Sequence, residues 1–594
     1  MGLFSRIWER MAGSKRVKRF EERQLRLEPL EDRALLSVTP GVIVATPPGG
    51  MGTALNGIAG GAAVASPAFT DTVISLPGVE EGTAAENAAP NGTQAIETQA
   101  VIDWNLADYS DYTTFQINVV EGQVYLYGRA KDGMSFDMLE HESVGVGDGL
   151  TIHSNNTARD VTFKVDTLKT FGEILYIGGK TKNDTITLEG SDEENVFTMD
   201  QETRLADVYE RPGKAAARQV VFETVSTSTQ YEDGATVIMS GVRTIAIDAM
   251  AGVDEFHFIR MGTTYDLIGG DGRDAIDFYK AESGAKLNLG KTTAQSVLSG
   301  QKGKICLHGD IECVTGSLFN DSITTAANTQ EVFGIGGSDT VNLVGDEATE
   351  TRVQLEGSSQ RVTGKGGGAF NIMINLGSKS TINMSSVKKG SMELHVQGDN
   401  VRVVGTMGND NINVQGNNGD VQGNEGNDYI FVVGANAKAR GGKGDDIIEL
   451  TSTYGKCTLE GGEGNDVLIG GTGNDTIKAR SGNNILVGGE GADKLIGGRG
   501  RDLLMANTTS GVWWSSDFAK SLMKYWSAGN VDETVKILGK VSVADYEKDI
   551  LKRGGGTGNL FYANTNPLEC DFDTVDYKPD KGDILFTDLE DGNL

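Results

Sequence analysis

Aspartate closes a glycine-rich hexapeptide again and again between residues 405 and 505. Gly405–Asn413 reads GTMGNDNIN. Gly423–Phe431 (GNEGNDYIF) and Gly441–Glu449 (GGKGDDIIE) hold the same frame, 18 and 36 residues on. An eleven-residue unit, Leu450–Glu460, shifts the frame by two. Five nines then follow without a break: GGEGNDVLI from Gly461, GGTGNDTIK from Gly470, ARSGNNILV from Ala479, GGEGADKLI from Gly488 and GGRGRDLLM from Gly497. The pattern is G-G-x-G-x-D-x-U-x, with U a large apolar residue. Its glycines, Gly464 and Gly473 among them, let the backbone close a tight turn with carbonyl oxygens turned inward. The aspartate adds a carboxylate. A set of hard oxygen donors of this kind suits Ca2+, which takes roughly six to eight.

Such turns need a frame that repeats with them. The apolar residue two places after the aspartate fits a short strand whose side chain enters a core. Composition agrees with a long β structure: glycine is 81 of 594 residues, about twice its usual share. Seven of the 10 prolines lie in the first 90 residues, and none lies between Pro212 and Pro567. Proline would remove ladder hydrogen bonds from such a structure.

The nonapeptide array closely resembles the RTX, or haemolysin-type, calcium-binding repeat. The resemblance implies an all-β fold, a parallel β-roll or β-solenoid in which two nonapeptides make one coil. Each ion then lies between turns stacked 18 residues apart on one edge. In that geometry the turns from 405, 423, 441, 461, 479 and 497 share one edge and present Asp410, Asp428, Asp446, Asp466, Asn484 and Asp502. On the other edge the units from 414, 432 and 450 lack the motif aspartate, leaving Asp475 and Asp493. A nearly continuous ion row is expected on the first edge and about one ion on the second. Weaker copies upstream carry Asp184, Asp254, Asp274, Asp321 and Asp339, so irregular coils are expected from about residue 160. Of these, Asp254, Asp274, Asp321 and Asp339 are further candidate ligands.

The remaining segments order themselves around the array. Residues 1–26 hold eight Lys/Arg against three Glu. Leu27-Glu28-Pro29, Arg33 and Leu35-Leu36-Ser37 resemble the LEPR-XLL segment of many exported planctomycete and lentisphaeral proteins, although Leu30-Glu31-Asp32 intervenes. The expected plan is a basic sorting leader over 1–40, a low-complexity linker over 41–100, and an N-terminal β cap over 101–160. Irregular coils follow over 161–404, the regular calcium-binding roll over 405–505, and a C-terminal cap with a helical insert over 506–594. Helical spacing is visible in Phe518, Leu522, Tyr525 and Trp526, then in Val531, Val535 and Leu538. The aromatic group Trp513, Trp514 and Trp526 suits packing better than a carbohydrate platform.

Charge and motif content bound the function. A net charge of −30 disfavours nucleic acid as a partner and favours cations. No apolar run is long enough for a transmembrane span. Four cysteines are too few for a disulfide scaffold; Cys306 and Cys313 suit buried packing better than a cross-turn pair. The chain has no HExxH pair and no GxSxG elbow, so no catalytic residue is assigned. The expected function is an exported, non-enzymatic, calcium-dependent structural or adhesive component of the cell surface or matrix. Its expected partners are calcium and surface polysaccharide or other matrix proteins. The alternative is a secreted hydrolase in which the array serves secretion and folding.

Overall fold

A computed structural model of the chain describes residues 100–586 apart from short stretches, of which 507–515, 539–547 and 564–572 are the longest. The leader, the linker up to residue 99, and Trp513 and Trp514 lie outside the described residues. The described chain winds as a β-solenoid, and two stacks of parallel strands carry it. The first stack begins where Val101–Asn105 pairs with Gly149–His153, which pairs with Glu173–Ile177. The second runs from Tyr112–Val120 through Asp160–Lys164, Asp184–Glu189, Val242–Asp248 and Thr264–Ile268 to Lys304–Leu307. Parallel stacking thus starts at residue 101 rather than near 160. The second stack is closed at its start by an antiparallel meander ending in Asp137–Ser143. Asp137, Glu140, His141 and Glu142 on that edge strand oppose further strand addition.

Register in the regular region follows the nonapeptide count. Asn411 pairs with Tyr429 and Asp420 with Lys438, each 18 residues apart. Across the eleven-residue unit the step lengthens to 20, as in Ile447 with Val467, and then returns to 18. The U positions form an internal column: Ile412, Ile430, Ile448, Leu468, Leu486 and Leu504 are all fully buried. The opposing column is Val403, Val421, Ala439, Leu459, Ile477 and Leu495, equally buried. Each large aliphatic side chain so placed contributes ~1.5–3 kcal/mol.

The chain does not leave the solenoid after Met505. Ile550–Lys552 pairs with Lys494–Ile496, and Leu560–Tyr562 with Leu503–Met505. Thr574–Val575 and Ile584–Phe586 add one coil more. The two helices, Ser516–Ser527 and Val531–Leu538, are an insertion within one turn of the solenoid. They cover its flank, not its end. Leu522, Trp526 and Leu538 pack with Val467, Ile469, Ile485, Val487, Leu503 and Met505. Those strand residues flank the inward-facing Leu468, Leu486 and Leu504, so VLI, ILV and LLM are apolar on both faces because both faces are buried. Trp526 is fully buried, its indole Nε1 donates to the Arg501 carbonyl at 3.1 Å, and the Arg501 guanidinium lies 4.6 Å from the ring centroid. Its role is packing. Cys306 and Cys457 are free thiols, and Cys313 and Cys457 are buried.

Candidate metal centre: two ladders of buried acids

The sixth residue of each turn sits at the corner where a turn becomes a strand. Local chemistry fixes the corner. The carboxylate folds back over the first residue of its own turn, so a Cβ at Gly423, Gly441 or Gly461 would collide with Oδ2 of Asp428, Asp446 or Asp466. At the fourth position the backbone takes positive φ, +132° at Gly464 and +124° at Gly473, where only glycine is unstrained.

All the sequence-identified residues reach such corners. Asp254, Asp274, Asp321, Asp339, Asp410, Asp428, Asp446, Asp466, Asp475, Asn484, Asp493 and Asp502 are at most 3% exposed. They are joined coil to coil. Asp410 N–H donates to Asp428 Oδ1 at 2.9 Å, Asp428 N–H to Asp446 Oδ1 at 2.9 Å, and Asp446 N–H to Asp466 Oδ1 at 3.1 Å. The ladder continues from Asp466 to Asn484 at 2.9 Å and from Asn484 to Asp502 at 3.2 Å. The opposite edge carries a second ladder, from Cys457 N–H to Asp475 at 2.8 Å and Asp475 N–H to Asp493 at 2.7 Å. Upstream, Asp254 N–H donates to Asp274 at 3.0 Å, and Asp321 N–H to Asp339 at 2.9 Å.

One oxygen of each carboxylate is therefore committed to the ladder, and the second decides what a corner can bind. At three consecutive corners, Asp428, Asp446 and Asp466, Oδ2 is buried with no hydrogen-bond partner. The same holds at Asp254 and Asp339. A buried acceptor with no donor is costly, and a cation removes that cost. These residues fit calcium in donor type and in what they lack. At Asp410, Asp321, Asp502 and Asp475 the second oxygen is satisfied within the turn. Thr406 N–H donates to Asp410 Oδ2 at 2.6 Å, Ser317 N–H to Asp321 Oδ2 at 2.7 Å, and Gly498 N–H to Asp502 Oδ2 at 2.7 Å. Asp475 Oδ2 accepts from Gly471 N–H at 3.2 Å.

Asn484 behaves differently from its neighbours. Its Oδ1 is fixed as the acceptor of Asp466 N–H, so Nδ2 faces the Gly482 carbonyl at 3.1 Å and Asp502 Oδ1 at 2.8 Å. Two oxygens of that corner are thereby held by a neutral donor. Gln360 does the same upstream, donating to the Gly337 and Glu356 carbonyls.

Electrostatics follow burial. Loss of solvent pushes Asp428 and Asp466 up to about 8 and Asp446 to about 7, against a backbone hydrogen bond that lowers each. Ionised Asp410 and Asp446 raise Asp428 further. Asp410, with its threonine donors, rises only to about 6. Burial also lifts Asp254 and Asp339 to about 7.

Several corner residues escaped the nonapeptide reading. Asp502 N–H donates to Asn559, and Asn559 N–H to Asp583, so the first ladder runs through both C-terminal coils. On the other edge Asp493 N–H donates to Asp549, and Asp549 N–H to Asp573. Glu312 takes the same place after Asp274. The readable signal was the second half of the motif: Asp549-Ile-Leu, Asn559-Leu-Phe, Asp573-Thr-Val and Asp583-Ile-Leu all keep D/N-x-U. A further ladder uses the fifth position, where Asn427 N–H donates to Asn409, Asp445 N–H to Asn427 and Asn465 N–H to Asp445. It runs in the opposite sense and lies at the exposed rim.

Comparison with known proteins adds a match over part of the chain. Residues 458–486 and 479–508 match the model of the RTX calcium-binding nonapeptide repeat, in 4 copies. No curated protein matches the chain. Among the described residues no helix is long and apolar enough to cross a membrane, which says nothing of β-barrels. The matched segment contains Asp466, Asp475, Asn484, Asp493 and Asp502, at the corners of stacked parallel coils. The chain therefore carries RTX calcium-binding nonapeptide repeats at 458–508, folded as a parallel β-roll.

Proposed function

We propose that this protein is an exported, non-enzymatic structural or adhesive component of the cell surface or matrix, whose solenoid becomes rigid when calcium fills its acidic corners. The observation that carries this reading is the run of partnerless buried oxygens at Asp428, Asp446 and Asp466. Bound cations there would join successive coils at the point where an ion-free array holds desolvated acids against one another. The extent of the coils supports a structural role: strands from Val101 to Phe586 contribute to the two stacks. Surface polysaccharide or another matrix protein is the partner class that such a stiff, acidic rod would meet.

Calcium titration of the full-length chain followed by circular dichroism tests the coupling. The β signal is expected to rise with millimolar calcium and to collapse in chelator, since an ion that binds the folded state alone adds its binding free energy to stability. An identical signal in both conditions would overturn the coupling. Turnover of any ester, glycoside or peptide in a hydrolase panel on the calcium-loaded protein would replace the structural reading by the secreted-hydrolase one.

A further inference from the structure

Away from the acidic corners, the outer face of the second stack brings together three side chains of different chemistry. Asp266 and Cys306 are direct partners on the adjacent parallel strands Thr264–Ile268 and Lys304–Leu307. His308 N–H donates to the Leu267 carbonyl at 2.7 Å, which extends the pairing beyond the strand end. His308 therefore follows Cys306 by two residues on the same face. Its Nε2 lies 3.7 Å from Asp266 Oδ1. The thiol sulfur, one carboxylate oxygen and one imidazole nitrogen all lie within 4.8 Å of one another. Cys306 is half-buried and His308 exposed, so the cluster opens to solvent on one side.

We propose that Asp266, Cys306 and His308 form a binding site for a thiophilic divalent metal of the Zn2+ type, separate from the calcium array. Tetrahedral zinc with bonds of ~2.0–2.3 Å sets its ligands roughly 3.3–3.8 Å apart. The Asp266–His308 separation already meets that spacing, and the thiol sulfur lies within 4.8 Å of both. A thiolate and an imidazole are ligands that calcium does not favour and zinc does. On binding, the Cys306 thiol loses its proton to solvent and the sulfur takes one coordination position. Ala246, the partner of Asp266 on its other side, is small, and solvent would supply the fourth ligand. Lys304 shares this face and opposes a cation; the Asp266 carboxylate and the new thiolate offset it.

The test is a Co2+ titration of the full-length protein in excess calcium, which keeps the acidic corners filled. One equivalent of Co2+ should give a thiolate-to-cobalt charge-transfer band that Zn2+ abolishes by displacement. Cys306→Ser should remove the band, while Cys313→Ser, Cys457→Ser and Cys570→Ser keep it. His308→Gln and Asp266→Asn should each weaken Co2+ binding at least ~10-fold, the lower end of what losing even an outer-shell partner costs. Circular dichroism in calcium should be unchanged in the Cys306 and His308 variants, whose side chains are not core. Absence of the band in the wild-type protein, or its persistence in Cys306→Ser, overturns the site.

Discussion

A carboxylate at one of these corners is a hydrogen-bond acceptor for the previous coil whatever its protonation state, and a metal ligand only when ionised. The two roles can be separated by substitution. Asp446→Asn keeps the amide oxygen for Asp428 N–H and removes the charge, as Asn484 does naturally. We expect it to raise the β content of the chelator-treated protein at pH 8 and to weaken calcium binding, measured by isothermal titration. It should cost more calcium affinity than any single change in Val432–Arg440, the unit that carries no motif aspartate. The same chemistry fixes a pH dependence. Asp428, Asp446 and Asp466 bind protons more tightly in the calcium-free fold, up to about 7–8, than an ordinary aspartate near ~4 does in an unfolded chain. Their contribution to the calcium-free fold is therefore fully present below about pH 4 and is lost as pH rises through 7–8. In chelator, the circular dichroism β signal should grow as pH falls from 8.5 to 5. Calcium affinity should change in the opposite direction, because protons and calcium compete for the same oxygens.

The helical insertion does its work at the level of elements. A strand row of a solenoid normally shows water its outward side chains, yet Val467, Ile469, Ile485, Val487, Leu503 and Met505 are all buried. Leu522, Trp526 and Leu538 are the apolar stripe that covers them. Trp526 is the anchor, since it fills this interface and its indole and backbone carbonyl both bond to Arg501. Trp526→Ala should lower the stability of the calcium-loaded C-terminal coils by ~3–5 kcal/mol, the range for truncating a buried aromatic. Denaturant unfolding in calcium would measure it. A change below 1 kcal/mol would mean that the helices rest on the sheet without stabilising it. Beyond the insertion the strand row continues, and Tyr562 and Phe586 stack at 5.0 Å between successive coils.

At the scale of the whole molecule, the proposed calcium coupling and export would together set when folding occurs. The chain carries −30, much of it on a solenoid whose corner acids are desolvated. Weak calcium sites of the extracellular class fill at ~10⁻⁴–10⁻³ M, well above cytosolic free calcium. An export step before folding would keep the acidic array unfolded until it meets calcium outside. Deleting residues 1–40 should therefore leave the protein inside the cell, with an unfilled array. Fractionation with limited proteolysis checks this, and normal surface accumulation of the truncated chain would remove the leader's assigned role.

What the sequence determined by itself is the part of this protein encoded within nine residues. The turn glycines, the acid at the sixth position and the apolar residue two places on set the corner, the column of core side chains and the 18-residue step. Each rests on local sterics and on periodicity, which leave their mark in a short window. The donor set was legible for the same reason. Tertiary structure alone decided which oxygens remain for a metal. Asp410 and Asp466 look alike in sequence, but Thr406 satisfies one and nothing in its own turn satisfies the other. The two C-terminal coils were hidden because their partners lie far along the chain: Asp502 reaches Asn559 across 57 residues and Asp493 reaches Asp549 across 56. No nine-residue frame survives such an insertion. Long-range strand pairing restores the register, and stacking on Leu495 and Leu504 buries Leu551 and Phe561.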